Sequence, residues 1–350
     1  MPETPRDHIV KYLSDPSKAL RPIFTSLNGD NSWLMSFPRP ESERAATGKV
    51  FYHLVFEPWL KGAAHVLNSW FVNIAMVNEP EVSTFGSIEN LVREIEHVAV
   101  AYLPSVDRNQ DVDLGVSSPV DAILLGFYLS DHLHPETLKS FPPHVPIIAT
   151  PPAVDVIKPW KHFKTIRVIS NLSPSATSWK TPDLHPGDPL PTWLTPIFLP
   201  GRSELNFVFA IIWSHTMGNE EIHEAILDSP HGVKPEEKTL NAFLDSEPKT
   251  KKLAMLHGLK ESRTGGVLTT YGAKGGLALN RKVGGVEHWI VTHSSELEYT
   301  GVFMRVVGTK DTPRTIEWAL EEEEKKDSNL ERVALPNVVR VANGGSMILV

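Results

Sequence analysis

The sequence predicts an α/β fold, because apolar segments of strand type alternate with helical segments along the chain. The segment DAILLGFYL (Asp121–Leu129) begins as a continuous apolar run, which suits a strand covered on both faces. The next segment, PETLKSF, places Pro135 in a first helical turn, where its missing N–H is tolerated, and VPIIAT (Val145–Thr150) is a second buried strand. A strand, a helix and a strand in this order are typical of layered α/β folds.

Flanking segments extend the alternation towards both ends of the chain. Apolar spacings of three and four predict helices at residues 6–14 and 87–101. Segments bounded by Gly, Pro and Asn predict strands at Ser32–Phe37 and Val50–Phe56. Further strand-like segments are TPIFLPG, NFVFAIIWS, HEAILDS, KLAMLHG and HWIVTH.

Three other segments predict loops or turns. The polar stretch Asp107–Ser118 predicts an exposed loop. Residues 171–196 are rich in Pro, Ser and Thr and too long for a simple connection, which indicates a lid or a loop near a site. The glycine-rich YGAKGG (Tyr271–Gly276) lacks the spacing of a phosphate-binding loop and predicts a turn before the helix GLALNRKV.

Length and composition favour one globular α/β domain over residues 1–350, with 1–20 as an N-terminal extension and 315–350 as a C-terminal helix and tail. Hydrophobic residues make up 41% and charged residues 22%, which is ordinary for a soluble protein. The sequence shows no secretory signal and no apolar run that would span a membrane. The net charge of -8 offers no basic face to nucleic acid, and the absence of cysteine excludes thiolate sites. We therefore expect a cytoplasmic protein with a small-molecule substrate and neither a nucleic-acid nor a membrane partner.

The segment after the first buried strand reads GFYLSDH and ends in Asp131 and His132. It resembles the signature T-H-x-H-x-D-H of the metallo-β-lactamase superfamily, although Gly126 replaces the threonine. Phe127 and Leu129 stand where the signature has its two earlier histidines. Neither side chain can donate a lone pair to a metal, so the first half of the motif is degenerate.

Other segments resemble the same superfamily in the same order over residues 20–310. VFEPWLKG resembles a strand that ends in Asp-Pro-Trp, with Glu57 at the acidic position. AILDSPHGV resembles the strand that ends in Gly-Asp-Thr and places His231 near the metal-bridging aspartate. HWIVTHSSE resembles the strand that delivers the last metal histidine, with His293 at that place, whereas Gly201 and Arg202 stand where the middle histidine is expected. The resemblance is closest to the branch of lactonase-like and other small-molecule hydrolases.

The resemblance implies a four-layer αββα sandwich of the metallo-β-lactamase type, with the site at the sheet edges. The complete site binds two metals. The ligands of one metal are lost here, whereas Asp131, His132 and His293 of the other are present, and His231 adds a nitrogen. Three or four such ligands suit a divalent ion, with zinc foremost. The expectation is one divalent metal, or none if the lost ligands have emptied the site.

Three functions stay open at this point. The leading hypothesis is a hydrolase for an apolar small molecule, with Asp131, His132 and His231 as catalytic residues on a single-metal or a metal-free acid–base site. The alternatives are a non-catalytic member that binds a ligand or partner, and a non-hydrolytic isomerase or lyase in small-molecule biosynthesis. The residues expected to line the substrate pocket are Phe127, Tyr128, Leu129, His257 and Trp59.

Overall fold

The computed structural model describes residues 5–15, 17–102, 118–325 and 335–350. The predicted loop at Asp107–Ser118 lies outside these residues except for its last position. The strands are β1 (Ile23–Ser26), β2 (Trp33–Pro38), β3 (Phe51–Phe56), β4 (Ala64–Val66), β5 (Val72–Met76), β6 (Ala122–Leu125), β7 (Ile147–Ala149), β8 (Ile166–Val168), β9 (Leu194–Pro200), β10 (Phe207–Met217), β11 (Glu220–Asp228), β12 (Lys251–Leu256), β13 (Glu261–Thr264), β14 (Val267–Tyr271), β15 (His288–Ile290), β16 (Leu297–Thr300), β17 (Thr309–Thr312), β18 (Val338–Val339) and β19 (Ser346–Ile348). The helices are α1 (Pro5–Leu13), α2 (Glu41–Thr47), α3 (Phe85–Tyr102), α4 (Pro135–Lys139), α5 (Pro151–Ile157), α6 (Lys238–Asp245), α7 (Gly272–Lys282), α8 (Val302–Val306) and α9 (Ile316–Glu324).

The chain divides into two compact units. The first consists of Met1–Gly62, Asn78–Val168 and Val341–Val350, and the second of Ala63–Val77 and Ile169–Arg340. None of the described helices combines the length with the apolar composition that a membrane span requires.

The first unit is built on a seven-stranded sheet in the order β19-β1-β2-β3-β6-β7-β8. The pairs from β19 to β3 are antiparallel, and those from β3 to β8 are parallel. Strands β1, β2 and β3 are buried at every position, and the apolar face of α3 packs into the same core. Ile9 and Leu13 of α1 also belong to this core, so the predicted N-terminal extension is part of the unit.

The second unit is built on a six-stranded sheet in the order β18-β15-β12-β11-β10-β9, with two further three-stranded sheets, β14-β13-β17 and β16-β5-β4. Strands β9, β10 and β11 pair antiparallel, and the strands from β11 to β18 pair parallel. Apolar residues of α6, α7 and α9 complete its core. Each unit therefore combines a mixed sheet with helices, which confirms the predicted α/β class.

Two details of the sequence-based prediction need correction. The strand predicted over Asp121–Leu129 ends at Leu125, because the chain turns at Gly126. The predicted turn at Tyr271–Gly276 is wrong, because α7 already begins at Gly272. The glycines serve close packing instead: a Cβ atom at Gly276 would overlap the Trp289 ring.

Glu96 is expected to be a large contributor to the stability of the first unit. Its buried carboxylate accepts hydrogen bonds from the backbone N–H groups of Val50 and Phe51, both at 2.8 Å, and from His53 Nε2 at 2.9 Å. Glu96→Ala leaves these buried donors without an acceptor, so the free energy of unfolding should fall by about 3 kcal/mol. Chemical denaturation measures this change. The exposed Glu94→Ala on the same helix is the control, and an equal effect in both variants would contradict the prediction.

Candidate functional site

In the first unit, Glu57 and His132 form a buried carboxylate–imidazole pair. Glu57 follows the last residue of β3, and its φ of 46° lies in the left-handed region. One carboxylate oxygen contacts His132 Nδ1 at 2.5 Å, and the other accepts the backbone N–H of Gly126 at 3.1 Å. Both side chains are essentially inaccessible to solvent, so the pair is fixed by the protein interior.

The carboxylate of Glu57 favours one tautomer of His132. A carboxylate only accepts hydrogen bonds, so His132 Nδ1–H donates to Glu57 and Nε2 keeps its lone pair. Asp131 places its Oδ2 atom 3.7 Å from this Nε2. The amide of Asn31 donates to the backbone carbonyl of Asp131 at 3.1 Å and positions this segment. A nitrogen lone pair and a carboxylate oxygen thus lie side by side, which is an arrangement that favours a cation.

The positions that replace the lost ligands are filled by apolar packing. Phe127 is 2% exposed and lies edge-on to the His132 ring, with ring centroids 5.2 Å apart, and its ring also contacts Tyr128. Tyr128 and Leu129 are half-buried. Trp59 is fully buried and donates its indole N–H to the carbonyl of Gly62. The role of these residues in substrate binding stays a prediction, and the burial of Trp59 gives it no support.

In the second unit, His231 and His293 lie in mutual contact. Their rings meet edge to face, with centroids 4.8 Å apart. His231 follows β11, and its Nδ1 atom is 3.0 Å from the hydroxyl of Thr270. His293 follows β15 and has a φ of 47°. Both rings are buried, so the two imidazoles sit at defined positions.

Backbone strain coincides with the predicted site residues. Among the described residues, the non-glycine positions with positive φ are Glu57, Leu67, Lys161 and His293. Such conformations are sparsely populated, and they concentrate at functional sites. Two of these four positions are Glu57 and His293, which favours a functional reading of both clusters.

His257 is the third histidine of the second unit that the sequence singles out. It follows β12, is fully buried, and its Nδ1–H donates to the carbonyl of Gly258 at 2.7 Å. Burial lowers the pKa of His257 to about 4, so this side chain is neutral at pH 7. The turn at Gly232, with a φ of 84°, passes so close that a Cβ atom there would lie 3.2 Å from His257 Nε2. His257 thus packs against the chain that follows His231, and its predicted contact with substrate stays a prediction.

The burial of His257 predicts a pH dependence of stability. The folded protein keeps this side chain neutral down to a pH of about 4, whereas the unfolded chain takes up its proton below the ordinary histidine pKa of 6.5. The unfolded state therefore binds more protons between these values, and acidification favours unfolding. His257 alone should lower the free energy of unfolding by about 2 kcal/mol between pH 7 and pH 5.

Urea denaturation of the wild type and of His257→Leu at both pH values measures this contribution. The variant should show the smaller loss of stability on acidification. An exposed histidine, His144, supplies the control His144→Ala. Equal pH dependence in the wild type and His257→Leu would contradict the assignment.

The structure thus places Asp131 and His132 together in the first unit, and His231 and His293 together in the second. Sequence reasoning placed Glu57 at an acidic position of the family pattern but did not assign it as the partner of His132. It also missed Asn31 and Thr270, which position Asp131 and His231. No local pattern marks these partners, because Glu57 and His132 are 75 positions apart in the chain.

Comparison with known proteins gives likenesses only among solved structures. No protein-family model matches the chain, and no curated protein matches it. An isothiocyanate hydrolase from Delia radicum gut bacteria is 13% identical, over 93% of this chain and 99% of that chain, with a TM-score of 0.48. The metallo-beta-lactamase fold protein YhfI from Bacillus subtilis is 10% identical, over 93% and 99%, with a TM-score of 0.41. A possible metal-dependent hydrolase from Veillonella parvula DSM 2008 is 13% identical, over 95% and 100%, also with a TM-score of 0.41.

These likenesses concern the fold. The strand orders of the two units and their helices agree with the α/β class that the sequence predicts.

Proposed function

We propose that this protein is a hydrolase for an apolar small molecule that uses one divalent metal, and we take as its ligands the histidines that the family resemblance singles out, His132, His231 and His293. The observation that carries the proposal is the buried contact between Glu57 and His132 Nδ1, with Asp131 beside Nε2. Metal-binding histidines typically donate their second ring N–H to a carboxylate, which fixes the ring and makes the other nitrogen more basic. Glu57 provides this orienting carboxylate.

The second cluster has the same chemistry. The hydroxyl of Thr270 lies at hydrogen-bond distance from His231 Nδ1, so Nε2 is the ligand atom of this ring. His293 contacts His231 edge to face, which places two imidazoles of one cluster within reach of a common ion. Imidazole and carboxylate donors suit Zn²⁺, Fe²⁺ and Mn²⁺, and zinc is the ion we favour. The residues of each cluster are therefore of a kind that suits a divalent metal.

The apolar replacements argue for one metal rather than two. The two ligand positions that the resemblance assigns to the other metal are Phe127 and Leu129. Phe127 is packed against the His132 ring. A metal ion could occupy this position only if the buried Phe127 side chain moved out and became exposed. The same replacements supply apolar surface beside His132, which favours an apolar substrate.

In the proposed hydrolysis, Asp131 transfers the proton, and Glu57 holds His132 in place. When bound, a divalent ion supplies a Lewis acid and lowers the pKa of water. Asp131 takes up the proton of the attacking water, whose oxygen adds to the carbonyl carbon of an ester or a lactone. The carbon–oxygen bond to the leaving group then breaks, and the leaving oxygen takes the proton. His132 is held in one orientation by Glu57 throughout, so it does not have to reorganise.

A metal-reconstitution assay tests the proposed function. The purified protein is stripped with a chelator, dialysed, and supplied with Zn²⁺, Mn²⁺ or Fe²⁺ before assay on apolar esters, lactones and thioesters. We expect turnover of at least one substrate that is lost on stripping and restored by one of these ions. Turnover that survives stripping would favour the metal-free Asp131–His132 site, and no turnover of any of these substrates would contradict a hydrolase.

A further inference from the structure

A cluster of exposed apolar side chains lies on the second unit, on the turn between β4 and β5, on α8, and at the tip of the β13–β14 hairpin. The exposed fractions are 84% for Leu67, 64% for Trp70, 81% for Val306 and 67% for Val267. We refer to the following residues as the apolar rim: Leu67, Trp70, Val267, Val302, Val306 and Val307.

The elements that carry the apolar rim are joined by direct contacts. The backbone N–H of Val302 donates to the carbonyl of Trp70 at 2.9 Å, and the ring centroids of the adjacent Phe71 and Phe303 lie 5.4 Å apart. The hairpin tip joins the other end of α8, because the N–H of Gly265 donates to the carbonyl of Gly308 at 3.1 Å. The segments that carry the apolar rim are therefore neighbours in the second unit, although they are far apart in the chain.

The concentration of exposed apolar side chains in the apolar rim is unusual for a protein surface. Single exposed apolar residues are normal, whereas contiguous patches mark binding surfaces. Of the 13 large hydrophobic residues exposed among the described ones, six belong to the apolar rim. The helix α8 contains no buried residue, so it is not held in place by the core of its unit in the way that α7 is.

The charges around the rim are cationic in a chain whose net charge is -8. Residues 63–77 contain no Asp, Glu, Lys or Arg, and the only charged residue of 301–308 is Arg305. Arg263 and Lys310 lie opposite each other on β13 and β17. All three cations are exposed, and Arg263 donates to the backbone carbonyl of Gly266 at 3.2 Å.

Most carboxylates on the two three-stranded sheets of the second unit form ion pairs with lysine or arginine. Asp311 pairs with Lys260 at 3.0 Å, and Glu261 pairs with Arg314 at 2.8 Å. The exposed Glu298 pairs in register with Ala75, towards the end of β5 that is opposite to the turn bearing Leu67. Surfaces that bind anionic lipid typically combine exposed aliphatic and tryptophan side chains with exposed cations.

We propose that the apolar rim docks on an anionic lipid surface, with Leu67 and Trp70 entering the headgroup region and Arg263, Arg305 and Lys310 facing the lipid charges. This role departs from the sequence-based expectation of no membrane partner, because the rim arises only when three distant segments fold together. It does not depend on the proposed hydrolase activity.

Binding to vesicles tests the proposal. The full-length protein is mixed with vesicles of phosphatidylcholine, alone or with about 30% phosphatidylserine, and the bound fraction is measured by flotation. Binding should require phosphatidylserine, and the fluorescence of Trp70 should shift to the blue on binding. Leu67→Asn combined with Trp70→Ser should abolish binding, and Arg305→Gln should weaken it about fivefold, as expected for one charge near a membrane surface.

The control is Met217→Gln, which removes another exposed apolar side chain of the same unit and should leave binding unchanged. Circular dichroism and thermal unfolding confirm that each variant is folded. Failure of the wild type to bind phosphatidylserine vesicles would overturn the proposal, and so would equal binding by the double variant. A dimer of the wild type that the double variant converts to monomer, without vesicle binding, would instead make the rim an interface between two copies.

Discussion

Replacement of His132 by alanine is expected to remove the bound metal and to reduce hydrolytic turnover to background. The His132 ring is the one whose Nδ1–H is fixed by the buried carboxylate of Glu57, so its loss removes the best-oriented of the proposed ligands. Glu57→Gln keeps the shape of the side chain and removes its charge, and metal affinity should then fall about 10- to 100-fold. Metal titration by calorimetry on the stripped protein measures both effects.

Two matched variants separate these effects from general damage. His144→Ala removes an exposed histidine of the same unit, and Glu136→Gln makes the same chemical change at an exposed glutamate. Both should bind metal as the wild type does. Wild-type metal affinity in His132→Ala would contradict the assignment of this residue, and unchanged affinity in Glu57→Gln would contradict the orienting role of Glu57.

Asp131→Ala is expected to abolish activity and to leave the fold intact. The Asp131 side chain is close to His132 Nε2 but does not cap the following helix, because His134 accepts the N–H of Thr137 there. Removal of a group that transfers a proton lowers rates about 10²- to 10⁴-fold. The assay is turnover at saturating substrate, together with thermal unfolding to show that the structure persists.

The exposed Asp155→Ala serves as the control for Asp131→Ala, since it removes a carboxylate of the same unit from the protein surface. It should leave turnover unchanged. A wild-type rate in Asp131→Ala would contradict the role of Asp131 in proton transfer.

The α/β class and most of the longer elements could be predicted from the sequence, because apolar spacing reports burial directly. Helix α3 and strand β10 are examples, each with a long run of core-facing residues. The strands β18 and β19 were missed within the predicted tail, since two or three residues carry no periodicity. They form because the edges of sheets already present offer hydrogen bonds to them.

The candidate site was predictable only where a family pattern preserved the order of its segments. Asp131, His132, His231 and His293 were singled out in this way, and each is buried in the structure. The residues that orient these side chains could not be predicted in this way. The contacts of Glu57 with His132 and of Thr270 with His231 join positions far apart in the chain. Long-range hydrogen bonds of this kind depend on tertiary packing, which a single sequence does not encode in any local pattern.

The metal content of the purified protein tests the central claim most directly. Elemental analysis of the wild type after dialysis should find about one divalent ion per chain, as expected for a site with three histidine ligands. The ion should be absent from His132→Ala and present in His144→Ala. Two ions per chain, or none after reconstitution with Zn²⁺, Mn²⁺ or Fe²⁺, would contradict the proposed single metal.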